Sequence, residues 1–155
     1  MSPRQLFRAL ALAEAVTWTL LLAGMAQKYL LDAGDWGVSV AGAVHGFVFL
    51  AFVVTALLVA VNQRWSRRAT LLALVSAVPP LATVPAEWWL DRTGRLDGAW
   101  RRPREGAGAP VLDRLLGLVL ARPGAAAVLA VAGVAVVFAG LLVVGPPGGG
   151  SGAAD

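Results

Sequence analysis

Four ionisable side chains lie inside the long apolar runs of this sequence or at their ends: Glu14, Lys28, His45 and Glu87. Ionisable groups are costly to place inside a bilayer, so each is a candidate functional group. Lys28 lies near the end of the first run, His45 near the start of the second, and Glu87 near the end of the third. In antiparallel helices these three would form a polar cluster at one end of the bundle. Such a cluster could bind a lipid headgroup or small anion, relay a proton, or serve as a charge-neutralised structural contact.

Glu14 is a candidate isolated intramembrane acid. It lies about five residues, or roughly 7 Å, into the first run. His45 lies at a similar depth in the second run, which enters from the opposite side of the membrane. We therefore predict that the two residues lie near opposite faces and do not touch. Glu14 is then either a structural group that is neutral or paired with Arg8 or Arg64, or a group with a proton or ligand role.

Two glycines flank the histidine at a spacing typical of close helix packing. Gly42 and Gly46 are four residues apart, and small residues at this spacing let a neighbouring backbone approach. The pattern predicts that His45 lies where two helices are close, in position to form a hydrogen bond across their interface.

Catalytic signatures are absent from the sequence. The chain has no cysteine and one histidine, which removes disulfides, thiolate sites and histidine-rich metal sites. It has no nucleophile elbow and no phosphate-binding glycine loop. We predict no catalytic residue, no metal and no cofactor. An enzyme acting on a lipid headgroup, with His45 as general base near Glu87, is the third of three functional alternatives.

The composition predicts the elements that position these groups. Of the 155 residues, 58% are hydrophobic and 14% are charged, well below the usual charged fraction of about 25%. The apolar residues form runs long enough to span a bilayer. We predict an all-α integral membrane bundle of four transmembrane helices, the third kinked at Pro79-Pro80. The four apolar runs cover residues 9–31, 40–61, 69–90 and 125–144.

The runs divide the chain into four parts. We expect a three-helix membrane core over 1–92 and a basic loop rich in Gly and Pro over 93–124. The end of that loop has the leucine spacing of an interfacial helix. The fourth transmembrane helix covers 125–144, and the low-complexity tail over 145–155 is predicted to be disordered.

The basic residues give conflicting signals about orientation. Arg4 and Arg8 outweigh Lys28 around the first helix, which favours a cytoplasmic N-terminus. With four spans, however, five basic residues lie on that side and eight on the other. A re-entrant third segment bent at Pro79-Pro80 would place both sets inside. It needs irregular backbone buried in protein, so the four-span arrangement is favoured.

Four strings together resemble one family: "LFRALALAEAVTWTLLLAGMAQKY", "GAVHGFVFLAFVV", "NQRWSRRATLLAL" and "VPPLATVPAEWWL". They are similar to domain of unknown function 3817, small bacterial integral membrane proteins that include the YdzA-like group. The resemblance covers about residues 4–92 and implies an integral membrane protein of an actinobacterial type of source. It implies no activity, because the family has none assigned. Residues 93–155 lie outside it.

The leading functional hypothesis is a non-enzymatic, multi-pass protein of the cell membrane that binds a lipid or a partner. The Lys28, His45 and Glu87 cluster would form the binding site, and the partner could be a second copy or another membrane protein. Nucleic acid is not expected, because the arginines flank apolar runs. The alternative is a small transporter or proton-coupled accessory subunit that uses Glu14 and His45 as separate relay points.

Overall fold

A computed structural model describes residues 1–101 and 110–144 of the chain, with side chains up to residue 140. The predicted disordered tail and the central part of the basic loop lie outside these ranges. Within them the chain is entirely helical apart from its turns and connections. The helices are α1 (Pro3–Tyr29), α2 (Trp36–Gln63), α3 (Arg67–Val75), α4 (Thr83–Arg92), α5 (Val111–Ala121) and α6 (Pro123–Val144).

Helices α1 and α2 form a long antiparallel hairpin. A capping box starts α1: the Ser2 side chain accepts a hydrogen bond from the Gln5 amide, and Gln5 Oε1 accepts one from the Ser2 amide. Gly24 of α1 lies against the backbone of α2, since a Cβ atom there would be only 2.7 Å from the Gly37 carbonyl carbon. This contact sets the register of the two helices.

Three helices, and not the predicted four, are long and apolar enough to cross a membrane within the described residues. They are α1, α2 and the stretch Pro123–Gly140 of α6. The prediction of a kinked third span was wrong because the run breaks into two short helices. Pro79 and Pro80 lack backbone donors, and Leu81 adopts a left-handed conformation with φ of 64°. The helix therefore ends at Val75 and the chain turns back.

Helices α3 and α4 form a hairpin that we call the re-entrant hairpin, because the chain turns back as in the arrangement that the sequence disfavoured. We call the end of the bundle formed by the start of α1 and the end of α2 the basic end. Thr83 Oγ1 donates to the Ala11 carbonyl at 3.0 Å, and Arg4 pairs with Asp91 at 2.6 Å. Helix α4 therefore runs antiparallel to α1 and returns to the basic end.

Further contacts fix the chain after α4 at the same end. Trp65 Nε1, just after α2, donates to the Arg95 carbonyl at 2.7 Å. Trp100 Nε1 donates to the Met1 carbonyl at 2.8 Å.

The turn of the hairpin is also hydrogen-bonded to α1. The Trp18 indole donates to the carbonyl of Ala77 in this turn, which satisfies one group of the irregular backbone.

The last two helices also start from the basic end. The Arg101 guanidinium bonds the Val61 carbonyl at the end of α2 and the Asp113 carboxylate of α5. Phe138 of α6 lies against Gly46 in the middle of α2. Eleven residues of α5 cover only about 16 Å, too short to reach the far end of α2, so α6 runs antiparallel to α2.

Aromatic rings and alanines make the core at the basic end. Phe7 packs on Phe52 and Trp65 with ring centroids 5.4 and 5.6 Å away. Ala69 and Ala73 of α3 are buried against this cluster, where small side chains allow the short helix to lie close to its neighbours. The α3–α4 hairpin is thus packed as part of the bundle.

Candidate functional site

Glu14 and His45 meet in the interior of the α1–α2 hairpin. His45 Nδ1 lies 3.7 Å from Glu14 Oε2. Glu14 has no exposed surface, and His45 is 9% exposed. The prediction that the two residues lie near opposite faces of the membrane was wrong.

The error came from where the helices begin. Helix α1 starts at Pro3, eleven residues before Glu14, and α2 starts at Trp36, nine residues before His45. Both residues are therefore deep in their helices. Measured from the contact between Gly24 and Gly37, Glu14 is ten residues away and His45 eight, a difference of about 3 Å along the helix axes. The register places them at nearly the same depth.

Thr17 and Trp18 complete the site. Thr17 Oγ1 lies 3.1 Å from His45 Nδ1 and 3.0 Å from the Glu14 carbonyl oxygen. When the hydroxyl donates to that carbonyl, it accepts from a protonated Nδ1. The Trp18 ring packs on the imidazole with centroids 4.5 Å apart. Because residues three and four positions apart share a helix face, the sequence could indicate this grouping on α1 but not its partner on α2.

Both carboxylate oxygens of Glu14 are buried, and neither has a hydrogen-bond partner within the described residues. A lone carboxylate in such a place is costly, and a proton on the acid or on the adjacent imidazole offsets that cost. Two side chains are too few for a usual protein metal site. No third histidine or carboxylate of the described residues joins them. The arrangement is suited to holding an exchangeable proton.

The structure does not bring Lys28 and Glu87 to His45. Lys28 lies fourteen residues after Glu14 on α1, about 21 Å along the axis, and its ammonium lies over the Tyr29 ring. Glu87 lies between Thr83 and Asp91 on α4, both of which contact the first third of α1. The two residues are thus near opposite ends of α1, because the third run turns back instead of spanning. The hypothesis of an enzyme in which Glu87 lies beside His45 therefore has no geometric support.

The two predicted packing glycines have different surroundings. A Cβ at Gly46 would be 2.8 Å from the Phe138 ring of α6, whereas one at Gly42 would be 3.8 Å from Leu21. Gly46 is therefore the tight position. Sequence reasoning missed Gly24, the position where α1 and α2 are closest. The feature of the sequence that could have indicated this close contact is a pair of glycines, Gly24 and Gly37, on either side of the predicted turn.

Comparison with known proteins supports a membrane protein without an assigned activity. The chain is 44% identical over 91 residues to a Streptomyces coelicolor protein described as "Putative membrane protein SCO5905". That stretch is 58% of this chain and 11% of the relative, so the chain spans about one ninth of the relative's length. No solved structure matches. Residues 4–92 match the family described as Domain of unknown function (DUF3817). This all-helical membrane protein belongs to that family.

Proposed function

We propose that this chain is a non-enzymatic protein of the cell membrane that binds and releases a proton at the Glu14–His45 pair. The observation that carries the proposal is the fully buried Glu14 carboxylate, 3.7 Å from His45 and without a hydrogen-bond partner among the residues that the structure describes. Intramembrane acids and histidines that face a bundle interior are typical of proton relays. The sequence suggested Glu14 and His45 as separate relay points. In this proposal they act as a single pair.

The packing suggests how the charge of the pair affects the rest of the molecule. Trp18 contacts the His45 ring on one side and donates to the Ala77 carbonyl in the hairpin turn. A gain or loss of charge at the pair changes the interaction with this indole, which contacts irregular backbone. The re-entrant hairpin is therefore the element that responds to the proton.

The test uses the single histidine of the chain. Protein carrying ¹⁵N-imidazole histidine, purified through a histidine-free tag and placed in lipid nanodiscs, gives ring-nitrogen signals from His45 alone. We expect the chemical shifts of these signals to change with pH. In Glu14→Gln the midpoint should move by about one pH unit or more, because the titrations of interacting groups are coupled.

Glu87→Gln is the matched control, since Glu87 is a buried acid on another helix whose neighbours lie elsewhere on α1. It should titrate as the wild type does. Signals that do not change with pH in the wild type, or that titrate identically in Glu14→Gln, would contradict proton binding by the pair and leave a structural contact.

A second function, partner binding, is favoured by the relative. The Streptomyces coelicolor protein is about nine times as long as the shared stretch. The matching module in the relative can pack on the rest of that longer chain, and this chain can associate through the same surface. We propose that the chain is an accessory module for a larger membrane protein.

The experiment co-expresses this chain with the relative from which the matching 91 residues have been deleted. The relative's own stretch, expressed separately, is the positive control. Co-purification of both with the deleted relative supports the accessory role. Association of the control but not of this chain, when both insert into the membrane, would contradict it.

A further inference from the structure

The re-entrant hairpin contains an open groove that is lined by residues of α3, of α4 and of the turn between them. It has a volume of about 380 Å³ and an almost entirely apolar lining. Ser76 and Ala86 are its buried members, and the more exposed walls include Leu72, Val75 and Trp89. Because the hairpin lies among helices that cross a membrane, the surroundings of this open side are hydrocarbon.

Two guanidinium groups stack on indoles toward the basic end, one on Trp89 of the groove wall and one on the adjacent Trp88. The Arg92 guanidinium carbon lies 3.7 Å from the Trp88 ring centroid, and that of Arg95 lies 4.5 Å from the Trp89 centroid. Trp89 therefore belongs to both the groove wall and an arginine stack. Stacking holds a guanidinium by its face and leaves its N–H edges able to bind phosphate.

These arginines differ from others at the same end. Arg4 is paired with Asp91, and Arg101 with Asp113. Among residues 1–101 and 110–140, no carboxylate is within ion-pair distance of Arg92 or Arg95, although both follow the acidic Asp91 closely in sequence. Arg68 precedes Leu72 by four residues, so it lies on the same face of α3 as the groove wall, one turn nearer the basic end.

The groove and the arginines match the two parts of one ligand. Helix α4 is ten residues long, so the hairpin reaches about 15 Å into the membrane, half of a hydrocarbon core of about 30 Å. An acyl chain enters along this apolar length only if its headgroup stays at the interface. Arg92 and Arg95 lie at that interface, where a negative headgroup complements their charge.

We propose that this groove binds an anionic phospholipid from the bilayer, with an acyl chain between α3 and α4 and the headgroup phosphate on Arg92 and Arg95. Arg68 adds positive charge from the α3 side. The site is separate from the Glu14–His45 pair and does not depend on the proposed proton function.

Native mass spectrometry of the full chain in mild detergent tests the site. Phosphatidylglycerol and phosphatidylcholine with identical acyl chains are added in equal amounts. The wild type should retain phosphatidylglycerol preferentially. Arg92→Gln/Arg95→Gln should reduce that retention by about tenfold or more, because each interfacial arginine contributes substantially to binding of anionic lipid.

Three variants separate the site from other effects. Arg8→Gln/Arg64→Gln removes the same charge from the basic end outside the groove and should keep the preference. Ala82→Leu fills the groove lining and should weaken phosphatidylglycerol retention with the arginines intact. Glu14→Gln should bind lipid as the wild type does. Size-exclusion chromatography and circular dichroism check that each variant is folded.

Two results would overturn the proposal. Equal retention of both lipids by the wild type would show that the arginines select no headgroup. An equal loss in the Arg8 and Arg92 double variants, or no effect of Ala82→Leu, would show a general attraction to positive charge without a groove site.

Discussion

The Thr17 hydroxyl joins the two helices at the Glu14–His45 site. It lies within hydrogen-bond distance of His45 Nδ1 and of the Glu14 carbonyl, so one small group orients the imidazole beside the acid. Thr19, two residues along, donates to the Ala15 carbonyl of its own helix at 2.9 Å. Comparison of the two threonines therefore distinguishes a hydrogen bond between helices from a hydrogen bond within one helix.

Thr17→Val should lower the free energy of unfolding by about 1 kcal/mol, because it removes a hydrogen bond between membrane helices without a large change in volume. Reversible SDS-induced unfolding, followed by tryptophan fluorescence, gives this value. Thr19→Val is the control and should change stability by about 0.5 kcal/mol or less. Equal effects of the two variants would mean that the contact with His45 contributes nothing.

At the scale of the elements, the contact between Gly24 and Gly37 determines which side chains of α1 and α2 meet. A slip of one turn, about 5.4 Å, would move His45 away from Glu14. Gly42 lies in the same interface, but a Cβ atom there would be 3.8 Å from the Leu21 side chain, an ordinary van der Waals distance. The two glycines of this interface therefore respond differently to the same added methyl group.

Gly24→Ala should destabilise the protein by about 1–3 kcal/mol, because its Cβ meets backbone that cannot move aside cheaply. Gly42→Ala should be neutral or stabilise it by up to about 1 kcal/mol, because alanine is the better helix former and the space exists. The same SDS unfolding experiment measures both. A Gly24→Ala protein as stable as Gly42→Ala would contradict the register that forms the site.

At the scale of the whole molecule, the re-entrant hairpin resolves the conflict between charge counts. With α3 and α4 returning, every described arginine lies toward the basic end, while Lys28 lies near the other end. These arginines are Arg4, Arg8, Arg64, Arg67, Arg68, Arg92, Arg95, Arg101, Arg114 and Arg122. The excess of arginine on one side predicts that the basic end is cytoplasmic. Three spans then place the end of α6 on the other side.

Single cysteines test this topology directly, because the natural chain has none. Ser66→Cys and Ala99→Cys should both be labelled by a membrane-impermeant maleimide only in inverted vesicles. Both positions lie at the basic end, where Trp65 contacts Arg95 and Asn62 contacts Ala99. Ala33→Cys, in the turn between α1 and α2, should be labelled in intact cells. Labelling of Ser66 and Ala99 from opposite sides would restore the four-span arrangement and contradict the hairpin.

The amino-acid sequence alone was enough to predict the class of the protein and much of its first half. Long apolar runs require helices in a bilayer, because every backbone group must be hydrogen-bonded within its own segment. The existence of α1, α2 and α6 follows from these runs. Glu14 and His45 were also predicted as candidate functional groups, since the cost of an intramembrane ionisable group depends on residue type and depth alone.

Which of these groups meet depends on the tertiary structure. Hydropathy does not show where a helix begins within a polar flank, and a shift of six residues at Pro3 moved Glu14 by about 9 Å. Nor does it distinguish a kinked span from a re-entrant turn at Pro79-Pro80, because both need the same apolar residues. That choice rests on long-range contacts such as Thr83 with Ala11 and Trp65 with Arg95. Such contacts depend on packing between helices, which local sequence pattern does not encode.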